Sequence, residues 1–127
     1  MFFRLVFLFF VGCLALPFAT SIASSQSLQQ AHALAKQVDQ LVRAGRYAEA
    51  LPLAEEAAGA FAAAGGPTSE GLARSLNTLA LMYKELLRLD EAEVTFERAL
   101  AVMTRVFGRD HINVRATLRN IAAIQLD

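Results

Sequence analysis

Among its 127 residues the chain has no tryptophan, one cysteine, two histidines and three prolines. Each scarcity excludes something. The single cysteine, Cys13, cannot form a disulfide within the chain, so packing alone must hold the fold. His32 and His111 are far apart in sequence and have no cysteine beside them, which leaves little from which to build a zinc or transition-metal site. Neither sign of charge prevails, since twelve Lys and Arg stand against twelve Asp and Glu. That balance excludes the basic footprint of a nucleic-acid binder and a polybasic membrane patch. No glycine-rich phosphate loop is present, because Gly65-Gly66 is followed by Pro67 and lacks a Lys-Ser/Thr pair. β-branched residues are scattered without period-two alternation, so no strand is expected.

The start of the chain differs from the rest. Arg4 is the only charge before Lys36, and it precedes an apolar run from Leu5 to Leu16 that is followed by Pro17. Ser21-Ile22-Ala23 then places small residues at the two positions that a signal peptidase reads. The order of basic residue, apolar run and small-residue site is that of a cleaved secretory signal ending near Ala23. Two alternatives are a retained anchor, for which the run is short of the ~20 apolar residues of a bilayer span, and lipidation at Cys13. Phe10 matches the lipidation signal poorly. Residues 1–23 therefore read as a leader and 24–127 as one domain, acting in the periplasm or outside the cell. The leader holds six of the nine phenylalanines, so the positive mean hydropathy belongs partly to it. Cleavage would remove one basic side chain, Arg4, and the only cysteine.

What is present is a repeat. Arg46 to Ala57, RYAEALPLAEEA, recurs 42 residues later as Arg88 to Ala99, RLDEAEVTFERA. Arg46 aligns with Arg88, Glu49 with Glu91, Ala50 with Ala92 and Glu55 with Glu97. The same offset pairs Gly66 with Gly108, Leu76 with Leu118 and Ala80 with Ala122. A fixed period of this size marks stacked supersecondary units, none able to bury its apolar face alone.

Apolar residues at three- and four-residue spacing predict five helices. After a polar, frayed stretch at Ser24 to Gln30, the first carries Leu28, Ala31, Leu34, Ala35, Val38, Leu41 and Val42, and Gly45 ends it. The second spans about Ala48 to Ala64, with Pro52 near its first turn. The third runs from a cap at Thr68 or Ser69 to about Leu87. The fourth runs from near Asp90 to Phe107, with acidic residues in its first turns where they complement the helix dipole. The fifth follows Asp110, the candidate cap, and carries Val114, Leu118, Ile121, Ala122 and Gln125.

In the second unit Leu76, Leu79, Ala80 and Tyr83 are followed by Leu89, Ala92, Phe96 and Ala99. This pattern resembles the tetratricopeptide repeat, and the 42-residue spacing resembles its longer variant, as in kinesin light chains. The strings GRYAEALPLAEEAA (Gly45 to Ala58) and GRDHINVRATLRNIA (Gly108 to Ala122) resemble those of many bacterial proteins of that variant. The resemblance covers roughly Leu34 to Gln125. It implies an all-α solenoid of antiparallel helix pairs, about two and a half repeats, with Leu76, Leu79, Ala80, Tyr83, Leu89, Ala92, Phe96, Ala99, Leu118, Ile121 and Ala122 as its core. There are departures: Leu87 replaces the glycine usual at the turn, Gln37 and Val38 replace a Leu-small pair, Ile112 replaces a proline, and Gln125 replaces the aromatic. The first helix is thus degenerate or a cap.

No catalytic constellation emerges. His111 belongs to an interhelix loop string and reads as structural, and His32 as solvated. Glu55-Glu56 and the Glu91/Glu93 pair read as solubilising charges on helix surfaces. No cofactor, metal or nucleic acid is expected. In proteins of this family the first helices of the units line a groove that binds extended peptides. Helical spacing brings Arg74, Asn77, Leu81, Lys84 and Glu85 to one side of the third helix. The offset carries that line to Arg119 and Asn120, and Lys36, Asp39 and Arg43 extend it on the first helix. Asn amides pair with peptide backbone, and Arg and Lys with carboxylates. The expected function is a protein- or peptide-binding adaptor. The alternatives are a structural or oligomerising module and the remnant of a longer repeat protein. Val114, Leu118, Ile121, Ala122 and Ile124 exceed one contact face, so the fifth helix is also expected to pair with a second copy as a homodimer.

Overall fold

A computed structural model describes residues 16–66 and 69–126. It contains five helices: α1 (Leu16–Arg43), α2 (Tyr47–Gly65), α3 (Glu70–Glu85), α4 (Leu89–Phe107) and α5 (Ile112–Leu126). Each packs on its neighbours in the chain as sequential antiparallel pairs, the all-α arrangement expected. No helix among the described residues is long and apolar enough to cross a membrane. The apolar run at 5–15 and Cys13 lie outside the described residues.

α1 begins well before Leu28. The Ser24 to Gln30 stretch, expected to be frayed, is helical. Pro17 sits in the first turn of α1, where its missing N–H removes no intrahelical bond. Pro52 lies in the second turn of α2, one residue deeper than expected because the helix begins at Tyr47. Its ring faces solvent and the helix continues through it, so only the bond to the Ala48 carbonyl is given up.

The two interior turns are copies of one another. Gly45 N–H donates to the Val42 carbonyl at 3.0 Å and Arg46 N–H to the Leu41 carbonyl at 2.9 Å. One period later Leu87 N–H donates to Lys84 at 3.0 Å and Arg88 N–H to Tyr83 at 2.8 Å. This turn needs a left-handed residue. Gly45 supplies it at φ 72°, whereas Leu87 is forced to φ 59°. At the start of each following helix an arginine pairs with the glutamate three residues on: Arg46 Nε to Glu49 at 2.9 Å, Arg88 Nε to Glu91 at 2.9 Å.

Ser69, rather than Thr68, caps α3 by accepting the Leu72 N–H at 3.1 Å. Asp110 does not cap α5. His111 does so instead, its Nδ1 accepting the Asn113 N–H at 3.2 Å, while its ring stacks on Phe107 with centroids 4.6 Å apart. The loop-stabilising role expected of His111 is thus concrete.

The core forms where helices are covered on two sides. On α3, Ala73, Leu76, Ala80 and Tyr83 are all buried, as are Leu72, Leu79 and Met82. Ala92, Phe96, Ala99 and Met103 of α4 are buried with them. On α1 the register mates Ala31 and Val38 are buried and Leu34 and Leu41 half-buried. Its opposite face, Gln30, Ala33, Gln37 and Gln40, is exposed, which fits the cap reading of that helix. α5 packs by one face only: Val114, Thr117, Ile121 and Ile124 are buried. Leu118 and Ala122, expected in the core, are exposed, Leu118 by 48%. They occupy the face that α4 covers on α3, and no described helix covers it on α5. Leu89 is half-buried.

Candidate functional site

α1 and α3 run side by side across α2 with a cleft between them. Its volume is about 920 Å³. Lys36 and Asp39 on α1 and Arg74, Asn77 and Thr78 on α3 line it, with Leu28, His32, Ala35 and Ser75. Ala54, Ala57 and Phe61 of α2, with Val38, make an apolar floor. Helical geometry explains the set: 32, 35, 36 and 39 fall on one side of α1, and 74, 77 and 78 on one side of α3.

Close approach at the floor depends on Gly71. A Cβ there would sit 2.4 Å from ring carbons of Phe61. Phe61 in turn meets the edge of the His32 ring, with centroids 5.0 Å apart and planes at 80°. His32, read as solvated, is exposed and leans on this phenyl group. Charge on the rim is balanced. Arg74 pairs with Glu70 at 2.6 Å, but both are more than half exposed, so this i,i+4 pair holds Arg74 only weakly.

Asn77 is tied across the array. The Thr117 hydroxyl of α5 lies 3.3 Å from Asn77 Oδ1, 2.9 Å from the Asn113 carbonyl and 3.4 Å from Met103 sulfur. Thr117 is only 1% exposed. This contact bridges α3 and α5 and bounds the cleft on that side. Arg119 and Asn120 lie on α5 outside the cleft lining, as do Leu81, Lys84 and Glu85 toward the C-terminus of α3 and Arg43 at the end of α1. The structure therefore gathers Lys36, Asp39, Arg74 and Asn77 and leaves the other expected groove residues apart. His32, Ala35, Ser75 and Gly71 were not foreseen. The 42-residue offset points back from Arg74 to His32 and from Asn77 to Ala35, and was the signal available.

The same sequence matches the family model of the tetratricopeptide repeat over residues 29–103 and again over 77–127. The chain belongs to the tetratricopeptide-repeat family. The two matched stretches overlap through α3 and α4, the unit with both helices fully packed. No curated protein matches the sequence. Tetratricopeptide repeats generally mediate contacts between proteins and are typically non-catalytic. Among the described residues no group of three or more His, Cys, Asp or Glu could hold a metal ion. Neither imidazole of this repeat protein hydrogen-bonds a carboxylate or hydroxyl among the described residues. Each instead meets a phenyl ring.

Proposed function

We propose that this chain is an exported adaptor that holds an extended segment of a partner protein in the groove lined by α1 and α3. The observation that carries the reading is the cleft itself, in which Lys36, Asp39, Arg74 and Asn77 converge above an apolar floor. Amide and charged groups on a rim suit a peptide backbone and its side chains, while the floor excludes water beneath them. Arg119, one period after Asn77, and Asn120 lie on α5 outside the cleft, and in this reading they would carry the groove beyond α3. Export rests on the Leu5 to Leu16 run and the Ser21-Ile22-Ala23 site. The likeness to the longer, kinesin-light-chain type of repeat rests on the 42-residue spacing. Lys36→Ala with Arg74→Ala should weaken capture of a partner from the extracytoplasmic extract while helix content stays unchanged. Arg119→Ala with Asn120→Ala should weaken it less. Undiminished capture by the first pair overturns the reading. Intact mass of the protein from its host tests export, with a first residue near Ser24 expected.

A second reading, self-assembly, is favoured by one observation. Leu118 and Ala122 are exposed on a face whose α3 counterpart is completely covered. Light scattering at tens of micromolar should then report a dimer that Leu118→Glu dissociates. A monomer at that concentration removes this reading.

A further inference from the structure

The 42-residue offset places one four-residue line on each of α1, α3 and α5. On α1 the line is Ala31, Leu34, Val38 and Leu41, and α2 lies over it. On α3 it is Ala73, Leu76, Ala80 and Tyr83, all buried, and α4 lies over it. On α5 the same positions hold Arg115, Leu118, Ala122 and Gln125, all exposed, and no described helix lies over them. Twice, then, this face is the seat of a helix. The third seat keeps the apolar middle, Leu118 and Ala122, but has an arginine and a glutamine where α3 has Ala73 and Tyr83. Gln125 is already engaged, its amide donating to Glu93 of α4 at 2.7 Å. Arg115 is not.

Arg119 stands one turn beyond Arg115 on the same side, a like-charge spacing that opposes helix formation. Neither arginine pairs with a carboxylate among the described residues. α5 itself carries no Asp or Glu over Ile112–Leu126. Charge therefore decides between occupants. A second copy seated here by two-fold symmetry would bring four arginines together on two helices without a carboxylate, and like charges facing across an interface oppose association. We propose that the open face of α5 docks an amphipathic acidic helix of a partner protein, with its apolar stripe over Leu118 and Ala122 and an Asp or Glu beside Arg115 and Arg119. The apolar contact supplies affinity, and the guanidinium forks select a carboxylate. This site is separate from the cleft between α1 and α3 and competes with self-assembly for one face.

The test pans a phage library of 18-residue peptides on the full chain, with one face randomised on a helix-favouring background of Ala and Gln. Titration calorimetry of the selected synthetic peptides follows. Selected sequences should carry apolar residues at three- and four-residue spacing, with an Asp or Glu about one turn away. Arg115→Glu should weaken them roughly fivefold to tenfold, because an attraction between exposed charges becomes a repulsion. The same peptides with Lys in place of that acid should bind Arg115→Glu better than they bind the native chain. Leu118→Glu should abolish binding. Both side chains are exposed, so helical circular dichroism should be unchanged in either variant. Lys36→Ala with Arg74→Ala should leave these affinities unaltered. Selected peptides without an acid, or an affinity that Arg115→Glu does not change, overturn this inference. Peptides that depend on Lys36 and Arg74 instead overturn it and leave the groove reading standing. A dimer that Leu118→Glu dissociates and that excludes the peptides assigns the face to a second copy and overturns it too.

Discussion

Tyr83 of α3 donates its phenolic hydrogen to Glu55 of α2, with 2.7 Å between Tyr83 oxygen and Glu55 Oε1. The bond joins the second unit to the first, and the Arg88 guanidinium lies over the same ring, 4.9 Å from its centroid. Burial, with the Glu55 bond beside it, pushes the Tyr83 hydroxyl up to about 12. Tyrosine in an unfolded chain titrates near ~10. A group whose pKa is raised on folding stabilises the fold below its unfolded value and loses that contribution as pH rises through the folded value. Urea stability should therefore fall between about pH 10 and pH 12 in the native sequence, and Tyr83→Phe should flatten that fall. Near neutral pH, Tyr83→Phe should cost about 1 kcal/mol, the loss of one hydrogen bond. Absorbance titration of Tyr47→Phe, which leaves one of the two tyrosines, should find Tyr83 ionising at about 12.

Phe96 should be the costliest single truncation. It is 0% exposed and belongs to the main apolar cluster with Leu79 and Ile121. Phe96→Ala should destabilise by about 3–5 kcal/mol, read as a lowered denaturant midpoint with an unchanged slope.

Leu87→Gly should stabilise. Leu87 holds a positive φ that a β-carbon resists, and 82% of its surface is exposed, so little burial is lost with the side chain. Relief of roughly 1–2 kcal/mol of left-handed strain outweighs the roughly 0.5–1 kcal/mol of extra chain entropy that glycine brings. A melting temperature higher by a few degrees is the expected result.

Gly71→Ala should destabilise although alanine favours helices. The new methyl carbon would meet a Phe61 ring that is 2% exposed and already set against His32. Overpacking of about 1–3 kcal/mol exceeds the helix-propensity gain of about 1 kcal/mol. Thermal unfolding should show the loss, and the His32 ring protons should shift in NMR spectra.

Much of the fold was legible in the sequence because its determinants are local or repeated. Gly45, Gly66 and Gly108 end helices where they stand, each at a positive φ. The stripe of Leu76, Leu79, Ala80 and Tyr83 marked the face of α3 that is buried. The candidate site was legible in part. Helical spacing put Arg74 and Asn77 on one side of α3, but it could not say that Asn77 is engaged by Thr117 forty residues on. Nor could it show that the line from Asn77 to Arg119 is crossed by that contact. The α5 cap was misread because aspartate is the commoner capping residue, whereas here the turn brings His111 Nδ1 to the Asn113 amide.

The sequence by itself determined the helices, their turns and the period that stacks them, since backbone preference and apolar spacing act over a few residues and a repeat applies the same choice twice. Tertiary structure alone decided which faces are used. Leu118 and Leu76 hold the same register position, yet one is exposed and the other buried, because burial depends on a neighbouring helix and not on the residue. The α2–α3 contact has the same origin: only the packed helices reveal that Gly71 meets the Phe61 ring too closely for a Cβ.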